Sequence, residues 1–298
     1  MRKVVVALGN FDGVHLGHQQ VLRRAVEEGS RRNMKVVAAT FHPHPRAVLG
    51  AGKPPKLLTP LELRCELLRD YGADEVWVIP FDEDLSRKTP GQFVREVLIG
   101  EGDAGVVVVG ENFRFGHRAA GDFHDLLRLM REAGGTAVGV QVGGAGMEGE
   151  VSSSRIRALI SGGEVAEATG LLGRPYVLRG EVVLGDKRGR SIGFPTANLL
   201  PDPDAVIPAR GVYAGFVRVG EEEYAACTNV GVAPTFQRAE SRVEAYLIDF
   251  AGDLYGRVVD VSFARRIRDE RRFSSIEELT GQIQRDVQEA RVITASLG

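Results

Sequence analysis

Short runs of consecutive apolar residues alternate with stretches of helical spacing through the first 170 residues. Val4–Leu8, Lys35–Phe41, Glu75–Pro80, Ala104–Gly110 and Thr136–Val142 are Val-rich and nearly free of charge, the pattern of strands covered on both faces. Between them, Gln19–Arg32, Pro60–Tyr71, Gly91–Ile99 and Phe123–Ala133 carry apolar residues at helical spacing. Such alternation predicts a mostly parallel sheet flanked by helices, with binding loops at the carboxyl ends of the strands.

The pattern changes near Gly170–Pro175. Beyond it, Tyr176–Leu184, Val212–Val219, Glu223–Val230, Val243–Ile248 and Val258–Ile267 are short alternating segments separated by Gly and Pro. They predict a small barrel or sandwich. Ser274 to about Leu297 reads as a helix, capped by Ser274 or Ser275, with Glu277 and Glu278 in its first turn. The expected organisation is therefore an α/β domain over residues 1–170 and an all-β domain with a C-terminal helix over 171–298. The glycine-rich stretch Gly143–Gly149 reads as a mobile loop, and no internal repeat is visible.

Composition narrows the partners. The chain is 43% hydrophobic and 26% charged with a formal net charge of −2, which gives no reason to expect nucleic acid or an acidic membrane surface. No run reaches the length of a bilayer span, and Val4–Leu8 is too short for a signal-peptide core, so a cytoplasmic protein is expected. Cys65 and Cys227 stand far apart and form no Cys-x-x-Cys spacing, which argues against disulfides and thiolate zinc. All six histidines fall before residue 125, so chemistry in the second half must proceed without imidazole.

Strand, glycine loop and helix follow one another at Val4–His18. The loop's glycines, Gly9 and Gly17 among them, let backbone approach a ligand, and the helix start offers unpaired N–H groups to an anion. His15 and His18, three residues apart, project to one side and can donate to a phosphate as charge develops on it. The alternatives are helix-cap histidines or half of a metal site. Three later segments also follow expected strands: Thr40–Pro45 with His42 and Pro43, Gly110–Gly116 with Asn112, and Val151–Arg157 with Ser153, Ser154 and Arg157. A Ser-rich helix start is also simply a cap. His42 and His44 suggest a metal, but two ligands do not make a site.

In the second half, Gly185–Asn198 combines glycine and positive charge, the make-up of a loop that covers phosphates. Thr196 and Asn198 alternate, so on extended backbone both point one way, and their oxygens suit Mg²⁺ with a polyphosphate. No Gly-x-x-x-x-Gly-Lys-Ser/Thr sequence is present, which excludes a P-loop. A basic surface hairpin fits the same residues.

Together these motifs resemble a known family. The loop around His15 looks like the His-x-Gly-His motif of nucleotidylyltransferases. With Gly110–Gly116 and Ser152–Arg157 it resembles the N-terminal module of the bifunctional prokaryotic riboflavin kinase/FAD synthetases. Gly185–Asn198, Gly211–Ala214, Thr228–Gly231, Pro234–Phe236, Val243–Phe250 and Leu254–Gly256 resemble the riboflavin kinase module, in that family's order. Gln237 and Arg238 depart from it, since relatives commonly carry glycine there.

The resemblance implies a Rossmann-like nucleotidyltransferase domain followed by a Greek-key barrel. It implies ATP binding in the first site by Gly9, Phe11, Asp12, His15, Gly17, His18, Asn112, Ser153, Ser154 and Arg157. It implies ATP binding in the second by Gly185, Lys187, Gly193, Pro195, Thr196 and Asn198, with Mg²⁺ on Thr196 and Asn198. Glu244 would be the proton acceptor, and flavin would contact His42, Pro43, Arg271 and Phe273. The implied activity phosphorylates riboflavin to FMN and then adenylylates FMN to FAD, with ATP as co-substrate. Two rivals are an adenylyltransferase acting on phosphopantetheine or nicotinamide mononucleotide, and a flavin-binding regulator without catalysis. The first lacks a second domain with the Pro195–Asn198 signature, and the second should show eroded catalytic positions.

Overall fold

The structure, a computed structural model, describes residues 3–50, 52–142, 151–185, 189, 192–234 and 239–297, with backbone alone at 232–234 and 239–241. The Gly143–Gly149 loop, Lys187 and the segment 235–238, with Gln237 and Arg238, lie outside the described residues. Two compact units form: Met1–Lys56 with Leu61–Ser153, and Leu57–Pro60 with Ser154–Gly298.

The first unit is built on five strands, β1 (Val4–Leu8), β2 (Val36–His42), β3 (Glu75–Pro80), β4 (Ala104–Gly110) and β5 (Thr136–Val140). Their order is β3-β2-β1-β4-β5, and every pairing is parallel. Val5 and Ala7 pack in one buried layer with Val21, Leu22 and Ala25 of helix α1 (Leu16–Arg32). Val6 and Leu8 point into the opposite layer, with Val94, Val97, Leu126 and Met130. Burial on both faces is why the strand reads as an unbroken apolar run.

The expected helix over Gly91–Ile99 is a short α-helix, Pro90–Gln92, running into a wider π-type helix, Phe93–Glu101. Thr89 and Gln92 cap its start reciprocally. Phe93, Val94, Val97 and Leu98 are the buried face, so the apolar spacing is served by the wider coil. The helix Leu61–Asp70 precedes β3, and Phe123–Glu132 precedes β5.

In the second unit, the helices Ser153–Gly162 (all but its first residue) and Val165–Leu172 lead into an antiparallel barrel. Its strands are β6 (Tyr176–Val183), β7 (Ala197–Pro201), β8 (Gly211–Val219), β9 (Glu222–Pro234), β10 (Ala239–Leu247), β11 (Val258–Phe263) and β12 (Arg265–Arg268). The order is β11-β6-β7-β10-β9-β8-β12, and a further β11–β8 pairing closes six strands into a ring. Two expectations are corrected. The single strand expected at Val258–Ile267 breaks at Ala264, where the chain leaves β6 and continues along β8. Ala197–Pro201, not expected as a strand of its own, fills the gap between β6 and β10.

The C-terminal helix Ile276–Ala295 starts at Ser275, whose side chain accepts from the Glu278 N–H. Its Ala290 and Ile293 cover Val212, Ala214 and Cys227 on the outside of the barrel. Arg268 of β12 grips Asp286 of this helix through Nε (2.9 Å) and Nη2 (2.6 Å), and Asp286 is 2% exposed. Cys65 and Cys227 are free thiols, and burial pushes the Cys227 thiol up to about 12. Removing one partner of a buried ion pair strands the other charge. Asp286→Ala should therefore destabilise the second unit by about 3 kcal/mol, read as an earlier transition in denaturant unfolding; a change within ~0.5 kcal/mol would show the pair to be energetically idle.

Candidate active sites

The strand order of the first unit reverses direction between β1 and β4, so the loops after these two strands splay apart and leave a crevice at their carboxyl ends. The two richest N-terminal motifs, Gly9–His18 and Gly110–Gly116, are those loops. The β1 loop is strained and tightly tied. Phe11 and Val14 hold positive φ of 50° and 40°, rare for any residue with a Cβ and most unusual for a β-branched one. Gln19 Nε2 donates to the Val14 carbonyl (2.9 Å), and Thr40 Oγ1 donates to that of Asn10 (2.9 Å).

Arg64, 1% exposed, anchors the same loop. Its Nη1 donates to the Asn10 carbonyl (3.2 Å) and the Phe41 carbonyl (3.4 Å), and its Nη2 lies 3.9 Å from Asp12 Oδ1. The guanidinium thus joins the ends of β1 and β2. In the sequence it stands among the alternating charges of Leu61–Asp70, and nothing in that pattern sets it apart from its charged neighbours.

His15 is the N-cap of α1, and its Nδ1 accepts from the His18 N–H (3.3 Å). With Nδ1 an acceptor, the neutral ring carries its proton on Nε2, which can therefore donate. The His15 and His18 rings stack with centroids 3.6 Å apart, and the buried Phe11 ring meets His18 edge-on at 5.3 Å. Only glycine fits at Gly17, because a Cβ there would lie 2.3 Å from Val142 Cγ1 and 3.3 Å from the His15 ring. Asp12 is buried, and its carbonyl accepts from Ser153 Oγ (2.8 Å), so the hydroxyl-rich segment begins against the histidine loop. Ser154 and Arg157 follow on the same helix, exposed and half-buried respectively.

Asn112 is exposed just beyond β4, and Gly9 closes β1. His42 and Pro43, joined by a cis peptide, stand exposed at the end of β2. His44 caps the short helix Pro45–Val48 by accepting from the Arg46 N–H. Among the described residues no three His, Cys, Asp or Glu side chains gather as a metal site.

In the barrel, β10 places Val243, Ala245 and Leu247 in the buried interior and Arg242, Glu244 and Tyr246 on the outer face. Glu244 pairs directly with Asn198 of β7 on one side and with Asn229 of β9 on the other. Residues opposite each other across an antiparallel pair share a face, so these three form one polar row. Arg242 belongs to the same face: its Nε donates to Asn198 Oδ1 (3.0 Å) and its Nη2 lies 2.9 Å from Glu244 Oε1.

Thr196, Asn198, Pro195 and Gly185 line a cleft of about 500 Å³ with Phe250, Asp253 and Tyr255. Gly185 has no alternative either, since a Cβ would fall 2.3–2.4 Å from the Asn198 amide. Gly193 precedes this lining with a φ of 88°, a conformation that suits glycine.

Arg271 and Phe273 come together. The Arg271 guanidinium lies 4.8 Å from the Phe273 ring centre, and its Nη2 donates to Gln282 Oε1 (2.7 Å). Gln282 in turn donates to Asp286 (2.7 Å). Beside them, Glu270 Oε1 stands 2.7 Å from where a side chain at Gly231 would begin, close to Asn229. Sequence reasoning passed over Arg64, Asn229, Arg242 and Asp253. Asn229 carried a usable signal, since Thr228–Gly231 had been singled out as a motif.

Comparison with known proteins divides the chain in the same sense. Residues 1–155 match the family model described as FAD synthetase, and residues 172–294 match the one described as riboflavin kinase. A protein of Bacillus subtilis named bifunctional riboflavin kinase/FMN adenylyltransferase is 40% identical over 97% of this chain and 92% of its own length. One of the same name from Escherichia coli K12 is 38% identical over 96% and 91%. A crystal structure described as a macrolide-efflux protein from Streptococcus pneumoniae superposes with a TM-score of 0.88 and 34% identity, covering 97% of this chain and 94% of that one. Among the described residues here, no helix is long and apolar enough to cross a membrane.

Proposed function

The chain belongs to the family of bifunctional riboflavin kinases/FMN adenylyltransferases, and from that membership we propose how its residues divide the work. It is an enzyme of both activities: it phosphorylates riboflavin to FMN with ATP, and it joins AMP from a second ATP to FMN, giving FAD and pyrophosphate. We assign adenylylation to residues 1–170 and phosphorylation to 171–298.

In the adenylylation site, the FMN phosphate attacks the α-phosphorus of ATP and pyrophosphate leaves. His15 and His18 donate to the α-phosphate as charge builds on it. The Nδ1 contact of His15 supports this, because it leaves the ring proton on Nε2. Gly9, Phe11, Asp12 and Gly17 shape the loop, Asn112 binds ATP from the β4 side, and Ser153, Ser154 and Arg157 take the β,γ-phosphates. Flavin lies toward His42 and Pro43. Phe11 and Asp12 act through the buried packing that fixes the loop.

The phosphorylation site uses a carboxylate. Glu244 accepts the proton of the ribityl hydroxyl as its oxygen attacks the γ-phosphorus and ADP leaves. ATP binds over Gly185, Lys187, Gly193, Pro195, Thr196 and Asn198, and the Arg271–Phe273 pair borders the flavin. Thr196 and Asn198 fit Mg²⁺: both are neutral oxygen donors on one cleft, and nearby phosphates would complete the shell. When bound, Mg²⁺ neutralises phosphate charge in both reactions. The observation that carries the kinase reading is the direct pairing of Glu244 with Asn198. We place both reactions in the cytoplasm, where ATP is made.

The first test incubates the purified protein with riboflavin, ATP and Mg²⁺ and separates riboflavin, FMN and FAD by chromatography. His18→Ala should lower the rate of FAD formation by roughly 10²–10³-fold and leave riboflavin phosphorylation near normal; joint loss of both would contradict separate sites. Glu244→Gln should cut FMN formation from riboflavin by roughly 10²–10⁴-fold while FAD formation from supplied FMN stays near normal, and a full-rate kinase in that variant would remove Glu244 from the mechanism.

A further inference from the structure

We propose that Arg242 is a positioning residue of the phosphorylation site, whose guanidinium competes with the metal ion for Asn198; this rests on the assignment of Asn198 as a metal ligand. One cationic fork spans the two oxygens on which that reaction depends. Nε–H is directed at Asn198 Oδ1 (3.0 Å) and Nη2 at Glu244 Oε1 (2.9 Å). The planar guanidinium suits this double contact in a way that an ammonium does not. Arg242 reaches both because it lies two residues before Glu244 on the same face of β10, and Asn198 is Glu244's partner on β7.

The amide has little room to turn away. Asn198 is 9% exposed, and the backbone of Gly185 lies so close that even a methyl group at that position would collide with it. Its Oδ1 is therefore held toward the guanidinium. A divalent cation bound to that oxygen at ~2.1 Å would stand within about 5 Å of the guanidinium nitrogen, close enough for strong repulsion in a half-buried site. The fork must withdraw from Asn198 for metal to bind, while Glu244 can retain it. Arg242 thus keeps the ligand and the base in register before nucleotide arrives, and it weakens metal binding by the interaction that must be broken. An ion pair that merely braced the barrel would have the opposite effect, because its loss would loosen Asn198 and weaken the metal.

The test is Mn²⁺ binding followed by electron paramagnetic resonance, with ADP present, on full-length wild type, Arg242→Met and Asn198→Ala. Because the chain has two nucleotide sites, the relevant Mn²⁺ class is the one that Asn198→Ala removes. Arg242→Met should bind that class roughly tenfold more tightly, the scale of one charge-assisted hydrogen bond. Equal or weaker binding would overturn the proposal. Retention of every Mn²⁺ class in Asn198→Ala would instead remove the metal assignment on which it rests. Should Arg242→Met fail to fold, the wild-type Arg242 Nε–H resonance decides: it should shift and exchange faster with solvent when Mg²⁺ and ADP are added, and an unmoved signal would sink the idea.

Discussion

The pairing register of three barrel strands controls the second half of the molecule. β10 is locked between β7 and β9 so that Glu244 faces Asn198 on one side and Asn229 on the other. Side chains alternate along a strand, so a slip of one residue would turn Val243 outward and drive the Glu244 charge into the barrel. The interior row of Val243, Ala245 and Leu247 prevents this, since each is at most 5% exposed and its burial favours one register. The hydrophobic core therefore fixes the polar row without touching it.

A comparable constraint governs the first half, where it acts through strand ends. A sheet buried on both faces offers chemistry only at its edges and tips, and the reversal of strand order between β1 and β4 opens one tip. The β1 loop then crosses that tip in a backbone conformation that Phe11 and Val14 would not adopt alone. The bonds from Arg64, Gln19 and Thr40 to the loop's carbonyls offset that strain. A buried arginine is tolerable there because Asp12 and three oxygen acceptors surround it. It ties down the loop that carries His15 and His18.

Much of this was legible from residue pattern. The five strands of the first unit could be read because each is a compact apolar run, and the His15–His18 site because glycines and histidines stood between a strand and a helix. Glu244 and Asn198 were each nameable, the former through resemblance. Their adjacency was not, because they lie 46 positions apart and only the β7–β10 register joins them. Arg242 was hidden for the same reason: in the chain it is an ordinary surface charge, and its meaning comes from a neighbour across the sheet. Arg64 was hidden by burial, which a helix pattern rich in charge gives no reason to expect. The strand Ala197–Pro201 was missed because five residues between two loops carry too little periodicity to stand out.

On the proposed assignment of residues, the uneven distribution of histidine follows from the two reactions. An alcohol must shed its proton when it attacks phosphorus, so a kinase acting on riboflavin needs an acceptor, and a carboxylate on a rigid strand supplies one. A phosphate monoester such as FMN is already an anionic nucleophile and has no proton to lose. What its attack on ATP requires is hydrogen-bond donation to the α-phosphate as charge accumulates there. Imidazoles at a helix start provide donors on top of the N–H groups of the helix itself. A basic carboxylate in that position would repel both reactants. The chain accordingly keeps every histidine before residue 125 and offers Glu244 in the barrel, a division set by whether the attacking oxygen arrives with a proton.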